Sequence, residues 1–250
     1  MAVSIKSARE IELMREAGKR LAHVHQELEA MIAPGISTWE IDAKGEKLIR
    51  DCGCIPNFLH YNGYPASICV SVNDEVVHGI PRKDRYLKEG DIVSLDAGLI
   101  YKGYHSDAAR THAVGKVGTE AQKLMDVTKQ SFFEGIKMAK EGQHLHDISR
   151  AIEEYVTPYG YGIVRDLVGH GIGTALHEDP QIPNYAQKRR GVRLQAGMTL
   201  AIEPMINAGT WQVRFLRDGW TVVTKDGSLS AHYENTILVT DGEPEILTLY

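Results

Sequence analysis

The sequence predicts an α+β protein built as two related halves, and three observations carry that expectation. Amphipathic helical patterns and β-branched or aromatic runs follow one another as helix, helix, strands, and the same order then recurs. A shift of 107 residues lays landmarks of the first half on the second: Met31 on Met138, Gly35 on Gly142, Ile41 on Ile148, Gly53 on Gly160, Gly90 on Gly197, Leu95 on Ile202 and Asp96 on Glu203. Lys102-Gly103, between two strand-like runs, is a two-residue hairpin signal. Shared cap and turn chemistry would give single matches; a run of them in one order favours a repeat, with halves of roughly 7–117 and 118–250 in one domain spanning 1–250.

Each element has a local cause. Ser7 and Glu10 have capping-box spacing, and Ile11, Met14, Ala17, Leu21, Val24, Leu28 and Met31 then line one helical face until Pro34-Gly35. Ser37 and Glu40 repeat the box for a second helix running to about Cys52, with Gly53 as its cap. The stretch 54–66 reads as loop. Strands are expected at Ala66–Val72, Asp91–Tyr101 and Tyr104–Val114. Helices follow at about 119–140 and 144–157, then strands at about 162–168, 198–206, 220–224, 232–240 and 244–249.

Composition narrows the classes of function. The 250 residues are 43% apolar and 24% charged, ordinary for a globular protein. The net charge is −5, the isoelectric point near 6.1 and the mean hydropathy −0.26, so neither a broad nucleic-acid face nor a membrane span is expected. Lys188-Arg189-Arg190 reads as a solvated loop. The charged N-terminal stretch has no leader-like apolar run, and an odd count of three cysteines points to a reducing compartment. Cys52-Gly53-Cys54 lacks the second pair of a zinc knuckle.

The hairpin carries the chemistry. With 102–103 as the turn, Asp96 falls opposite Ala109, and Asp107 points to the same face two residues away. Two half-buried carboxylates there need a cation or a shared proton. The second half is expected to place Glu203 and Glu234 on facing strands in the same way, with a connection long enough for an extra hairpin carrying Trp211 and Trp220. Four carboxylates in one place suit divalent cations. His170, among the glycines of Gly169-His170-Gly171-Ile172-Gly173, adds an imidazole, and those glycines would let a ligand approach the backbone. The result is a five-ligand, two-metal constellation, its ions about 3.5–4 Å apart as in sites that activate a shared water. His78 and His177 are left for acid–base or hydrogen-bonding work. His105 and His232 flank ligand positions and are expected to support them at most.

SVNDEVVHGIP, GDIVSLDAG, HSDAART, GHGIG…HEDPQIPNY, GMTLAIEPM and SAHYENTILVT, in order across nearly the whole chain, together resemble the type I methionine aminopeptidases. The resemblance implies the pita-bread fold, two related halves each of paired helices packed on antiparallel strands about a pseudo-two-fold. It implies metal ligands at Asp96, Asp107, His170, Glu203 and Glu234, with Asp107 and Glu234 bridging. It also implies substrate contacts from His78 and His177, proton acceptance by Glu203, and a methionine pocket of Phe58, Tyr61, Tyr64, Cys69 and Trp220. Leu167 and Leu176 depart from the usual aromatic or methionine residues and alter pocket shape. The implied activity is removal of N-terminal methionine from nascent chains, with a small second residue preferred. Two divalent ions (Co, Mn, Fe or Zn) are implied, in a cytoplasmic monomer with transient ribosome contact. Rival readings are an Xaa-Pro aminopeptidase or dipeptidase of the same fold and a non-catalytic binding relative. The first is disfavoured because only about 65 residues precede the first strand, the second because all five ligand positions are kept.

Overall fold

A computed structural model describes residues 3–249. Helix α1 (Ala8–Glu29) and helix α2 (Thr38–Asp51) both open on complete capping boxes, from Ser7 with Glu10 and from Ser37 with Glu40. Then come β1 (Ile55–Pro56), β2 (Ile68–Val72), β3 (Glu75–Val77), β4 (Ile92–Tyr101) and β5 (Tyr104–Ala113). The second helical pair is α3 (Thr119–Ile136) and α4 (Leu145–Val156). Short strands follow: β6 (Gly162–Ile163), β7 (Gly169–Gly171), β8 (Glu178–Ile182), β9 (Thr199–Ile202) and β10 (Met205–Asn207). The last are β11 (Val213–Phe215), β12 (Val222–Thr224), β13 (Ser230–His232), β14 (Glu234–Leu238) and β15 (Glu245–Ile246). No described helix is long and apolar enough to cross a membrane.

The mixture of helix and antiparallel sheet agrees with the expected class. A nine-stranded sheet runs β1-β4-β5-β14-β9-β7-β8, with β2 also on β4 and β15 also on β14. Two three-stranded sheets, β13-β10-β6 and β11-β12-β3, stand beside it. Helix α1 packs across β4 and β5 and on α2, burying Met14, Ala17, Leu21, Val24 and Leu28 from the predicted face. The α3–α4 pair fills a second core, in which Phe132, Ile148 and Ile152 meet Ile202, Ile206 and Ile237. Glycines related by the 107-residue shift share left-handed backbones: φ is 93° and 88° at Gly35 and Gly142, 70° and 75° at Gly53 and Gly160, and 90° and 92° at Gly90 and Gly197. On these matching angles we propose that the chain is one unit of two related halves.

Several boundaries differ from the sequence reading. Helix α3 stops at Ile136 rather than near 140, since Lys137 caps it and Lys140 bridges to Thr240. The stretch read as loop holds β1, paired with Leu99 and Ile100, and a 3-10 turn at Tyr61–Gly63. The run 162–168 is a strand only over its first two residues. The runs 198–206 and 232–240 are each broken. Glu203-Pro204 ends β9, because proline has no N–H for the ladder, and Tyr233 separates β13 from β14. At both breaks the chain passes from the large sheet to the small one, β9 to β10 and β13 to β14 in reverse. The longer connection does hold the expected extra hairpin, β11–β12, with Trp211 before it and Trp220 within it.

Candidate metal centre

The β4–β5 register is the one the turn predicts: Tyr101 faces Tyr104 and Asp96 faces Ala109. Lys102 and Gly103 both have positive φ, 49° and 85°, as a type I′ turn requires. Ala109 also faces Glu234 on β14, while Asp96 faces Cys69 on β2. Cys69, Asp96, Ala109 and Glu234 therefore form one row across four neighbouring strands. Asn235 pairs with Ile202, and the same ladder carried one step further brings Glu203 to Glu234. Paired residues share a face, as do residues two apart on a strand. Asp107 thus joins the row from β5, and the Thr236 hydroxyl clamps its backbone, donating to the Asp107 carbonyl at 2.9 Å and accepting from its N–H at 3.1 Å. Ala109, the small member, leaves room between Asp96 and Glu234.

His170 enters from β7, opposite Ala201. Its Nδ1–H donates to the Gly171 carbonyl at 2.8 Å, which leaves Nε2 with its lone pair 3.7 Å from Glu203 Oε1 and 3.9 Å from Asp107 Oδ2. The glycines beside His170 serve a purpose other than the expected one. A Cβ on Gly169 would lie 2.4 Å from the Ala201 carbonyl oxygen, and one on Gly171 2.2 Å from that of Asp179. It is neighbouring backbone that approaches them, so that β7 fits between β8 and β9.

One 220 Å³ cavity brings together the residues expected as metal ligands, substrate contacts and methionine wall: Phe58, Tyr61, Tyr64, Cys69, His78, Asp96, Asp107, His170, His177, Glu203, Trp220 and Glu234. Carboxylates and aromatic rings both line it, with Trp220 edge-on to Tyr64 at 5.2 Å and to His78 at 6.3 Å. Leu176 lines the cavity as expected, whereas Leu167 packs against Val76, Val164, Met205 and Val222 instead. Asn62, which the sequence marks only as part of a loop, also lines the cavity, and its left-handed backbone is the kind of signal only a structure gives. His232 stands beside two of the expected ligands: its Nε2 lies 3.9 Å from both Glu203 and Glu234, and neither of its ring nitrogens has a protein hydrogen bond. His105 turns to Asn57, 2.6 Å away.

Burial dominates the electrostatics. It pushes Asp96 up to about 7. It holds Asp107, Glu203 and Glu234 well above the usual carboxylate range, and the neighbouring carboxylates add to the shift in all three. The imidazoles move the other way: burial lowers His78 to about 4, His170 and His232 to about 3, and His177 below its ordinary value, so all four are neutral. Buried oxygens on Asp96, Asp107 and Glu234 have no hydrogen-bond partner. One ligand atom each from Asp107, His170 and Glu234 falls within 4.8 Å of the others. Converging carboxyl oxygens with unused lone pairs, beside a neutral imidazole nitrogen, fit a hard or borderline divalent cation that would take the place of their protons.

Fold and site together thus define a metal-binding protein whose centre is assembled across the strands of a mixed α+β sheet. Comparison with known proteins narrows this. The model of metallopeptidase family M24 matches residues 12–241, and the chain belongs to that family. It is 53% identical over 247 residues to the methionine aminopeptidase of Clostridium acetobutylicum, covering 99% of each chain. To methionine aminopeptidase 1 of Bacillus subtilis it is 51% identical, over 97% of this chain and 98% of that one. The crystal structure of the Thermotoga maritima methionine aminopeptidase superposes with a TM-score of 0.97 at 46% identity, over 100% of both chains. The pita-bread expectation therefore holds.

Proposed function

We propose that this chain is a metal-dependent methionyl aminopeptidase that removes the N-terminal methionine from nascent proteins and peptides with a small second residue. The observation that carries the reading is that carboxylates and an apolar wall share one cavity. Its 220 Å³ lies below the roughly 300–1,000 Å³ of sites for drug-sized ligands, a size suited to one side chain. Phe58, Tyr61, Tyr64, Cys69 and Trp220 offer aromatic faces and a sulfur, the polarizable surface a thioether favours. Full-length likeness to methionine aminopeptidases supports the same reading.

Asp96, Asp107, His170, Glu203 and Glu234 would hold two divalent ions. Bound ions of this kind supply Lewis acidity and make water a usable nucleophile near neutral pH. Glu203 would take up a proton from the attacking water, the role that the resemblance implies for it. His78 and His177, both neutral, hydrogen-bond the peptide group and the oxyanion that develops as its carbonyl is attacked. The side-chain wall holds methionine so that its carbonyl lies beside these groups. Mn, Fe, Co and Zn all suit four carboxylates and an imidazole. Three free cysteines accord with a reducing compartment, and on this reading the protein works as a monomer on chains leaving the ribosome in the cytoplasm.

A side-by-side assay of Met-Ala-Ser and Ala-Pro peptides tests the proposal. Free methionine released from the first, with the second untouched, is expected; preferential cleavage of Ala-Pro would move the chain to the proline-directed activities.

A further inference from the structure

Tyr61 has so far been a wall of the cavity, but its hydroxyl has a definite partner. The oxygen lies 2.8 Å from Nδ1 of His177, 116 residues away in the chain, with the two rings 5.5 Å apart at 46°. The segment that carries Tyr61 is held in an uncommon backbone. His60 and Asn62, on either side of it, have φ of 68° and 49°, in the left-handed region that residues with a Cβ seldom adopt. The turn is closed by Tyr61 N–H donating to the Phe58 carbonyl at 2.9 Å and His60 N–H donating to the Tyr64 carbonyl at 2.8 Å. Such conformations persist where the surroundings over-determine them, and they gather at functional sites.

The neighbouring histidine gives the comparison. A neutral imidazole carries one hydrogen, and the partner of one nitrogen decides which nitrogen holds it. The partner of His170 Nδ1 is a carbonyl, which can only accept, so that hydrogen is on Nδ1 and Nε2 offers a lone pair. The partner of His177 Nδ1 is a phenol. A phenol O–H is a good donor and an imidazole nitrogen a good acceptor, so the favoured arrangement is the reverse: Tyr61 donates, and the hydrogen of His177 sits on Nε2. The rings of His170 and His177 are 4.3 Å apart.

We infer that Tyr61 is a positioning residue that fixes the tautomer of His177, so that adjacent histidines are held in opposite states: His170 as a lone-pair donor and His177 as an N–H donor. The inference rests on the aminopeptidase reading, in which His177 must donate to a developing oxyanion. A ring with its hydrogen on Nδ1 would turn a lone pair toward that negative charge and repel it.

The test is long-range proton–nitrogen correlation NMR on 15N-labelled protein loaded with diamagnetic Zn2+, with the His177 signals assigned by their loss in His177→Ala. The expected spectrum shows His170 protonated on Nδ1 and His177 on Nε2. In Tyr61→Phe, which keeps the ring and removes the hydroxyl, the His177 signals should move toward a tautomer mixture. Its kcat on Met-Ala-Ser should fall about 5- to 10-fold, the scale of one lost hydrogen bond, with KM nearly unchanged. A wild-type His177 protonated on Nδ1 would overturn the inference, as would a Tyr61→Phe protein with unaltered signals and kcat. Wild-type protein that releases no methionine would instead overturn the aminopeptidase reading, while the spectrum would still decide the tautomer.

Discussion

Asp107 and Glu234 are 4% and 2% exposed, and each keeps a buried oxygen without a hydrogen-bond partner. In a folded protein such oxygens are costly unless a cation or a proton answers them. Replacing Asp107 by Asn removes one charge while nearly preserving shape. On its proposed role as a metal ligand the change should empty at least one metal site, and anomalous scattering at the metal edge would show the loss; full occupancy would count against that role. His177→Ala probes a different function. It should lower kcat by about 100-fold, the scale of a lost oxyanion donor, with metal content by atomic absorption unchanged. Loss of metal together with activity would make His177 a ligand instead. Not every residue was equally readable from the sequence. Asp96 and Asp107 were legible because a two-residue turn fixes their register. The Tyr61–His177 contact was not, since it joins segments 116 residues apart that only the fold brings together.

Among the elements, the long and strongly patterned ones were the readable ones. Capping boxes at Ser7 and Ser37 marked where α1 and α2 begin, since the box answers backbone donors that any helix leaves free. Strands β7 and β8 were missed, because Gly-His-Gly and a proline-containing stretch lack the β-branched and aromatic residues that mark a strand. Their pairing is nonetheless what holds His170 in place. Gly171→Ala tests this: the added Cβ would fall 2.2 Å from a backbone oxygen, with no flexible side chain to yield. A loss of about 1–3 kcal/mol is expected from the overpacking, read as about 2–4 °C of Tm for each kcal/mol in a protein of this size. Metal affinity by calorimetry should weaken with it. Unchanged Tm and affinity would mean that β8 moves aside freely.

Across the whole molecule, the α+β class and the order of elements followed from periodicity. The row of Cys69, Asp96, Ala109 and Glu234 did not, because strand order within a sheet is set by packing between distant segments. That row couples stability to pH. Asp96 titrates near 7 in the folded, metal-free protein against an ordinary 3.8, and burial raises its three carboxylate neighbours as well. The unfolded chain then gives up these protons at lower pH than the folded one. The metal-free protein should lose stability as pH rises from about 4 through about 7. A bound divalent ion answers the same charges, so the Tm difference between metal-loaded and metal-stripped protein should widen over that interval in scanning calorimetry. A difference independent of pH would mean that the carboxylates are not where the ion binds.

The central claim is that these carboxylates and His170 hold the ions on which methionine release depends. The most direct measurement is a titration of chelator-stripped protein with Mn2+, Fe2+, Co2+ or Zn2+, following bound metal and methionine freed from Met-Ala-Ser in the same samples. The account predicts no release without metal, and release that rises with occupancy of a site lost in the Asp107→Asn protein. Full activity in the stripped protein, or metal uptake that Asp107→Asn leaves intact, would contradict it.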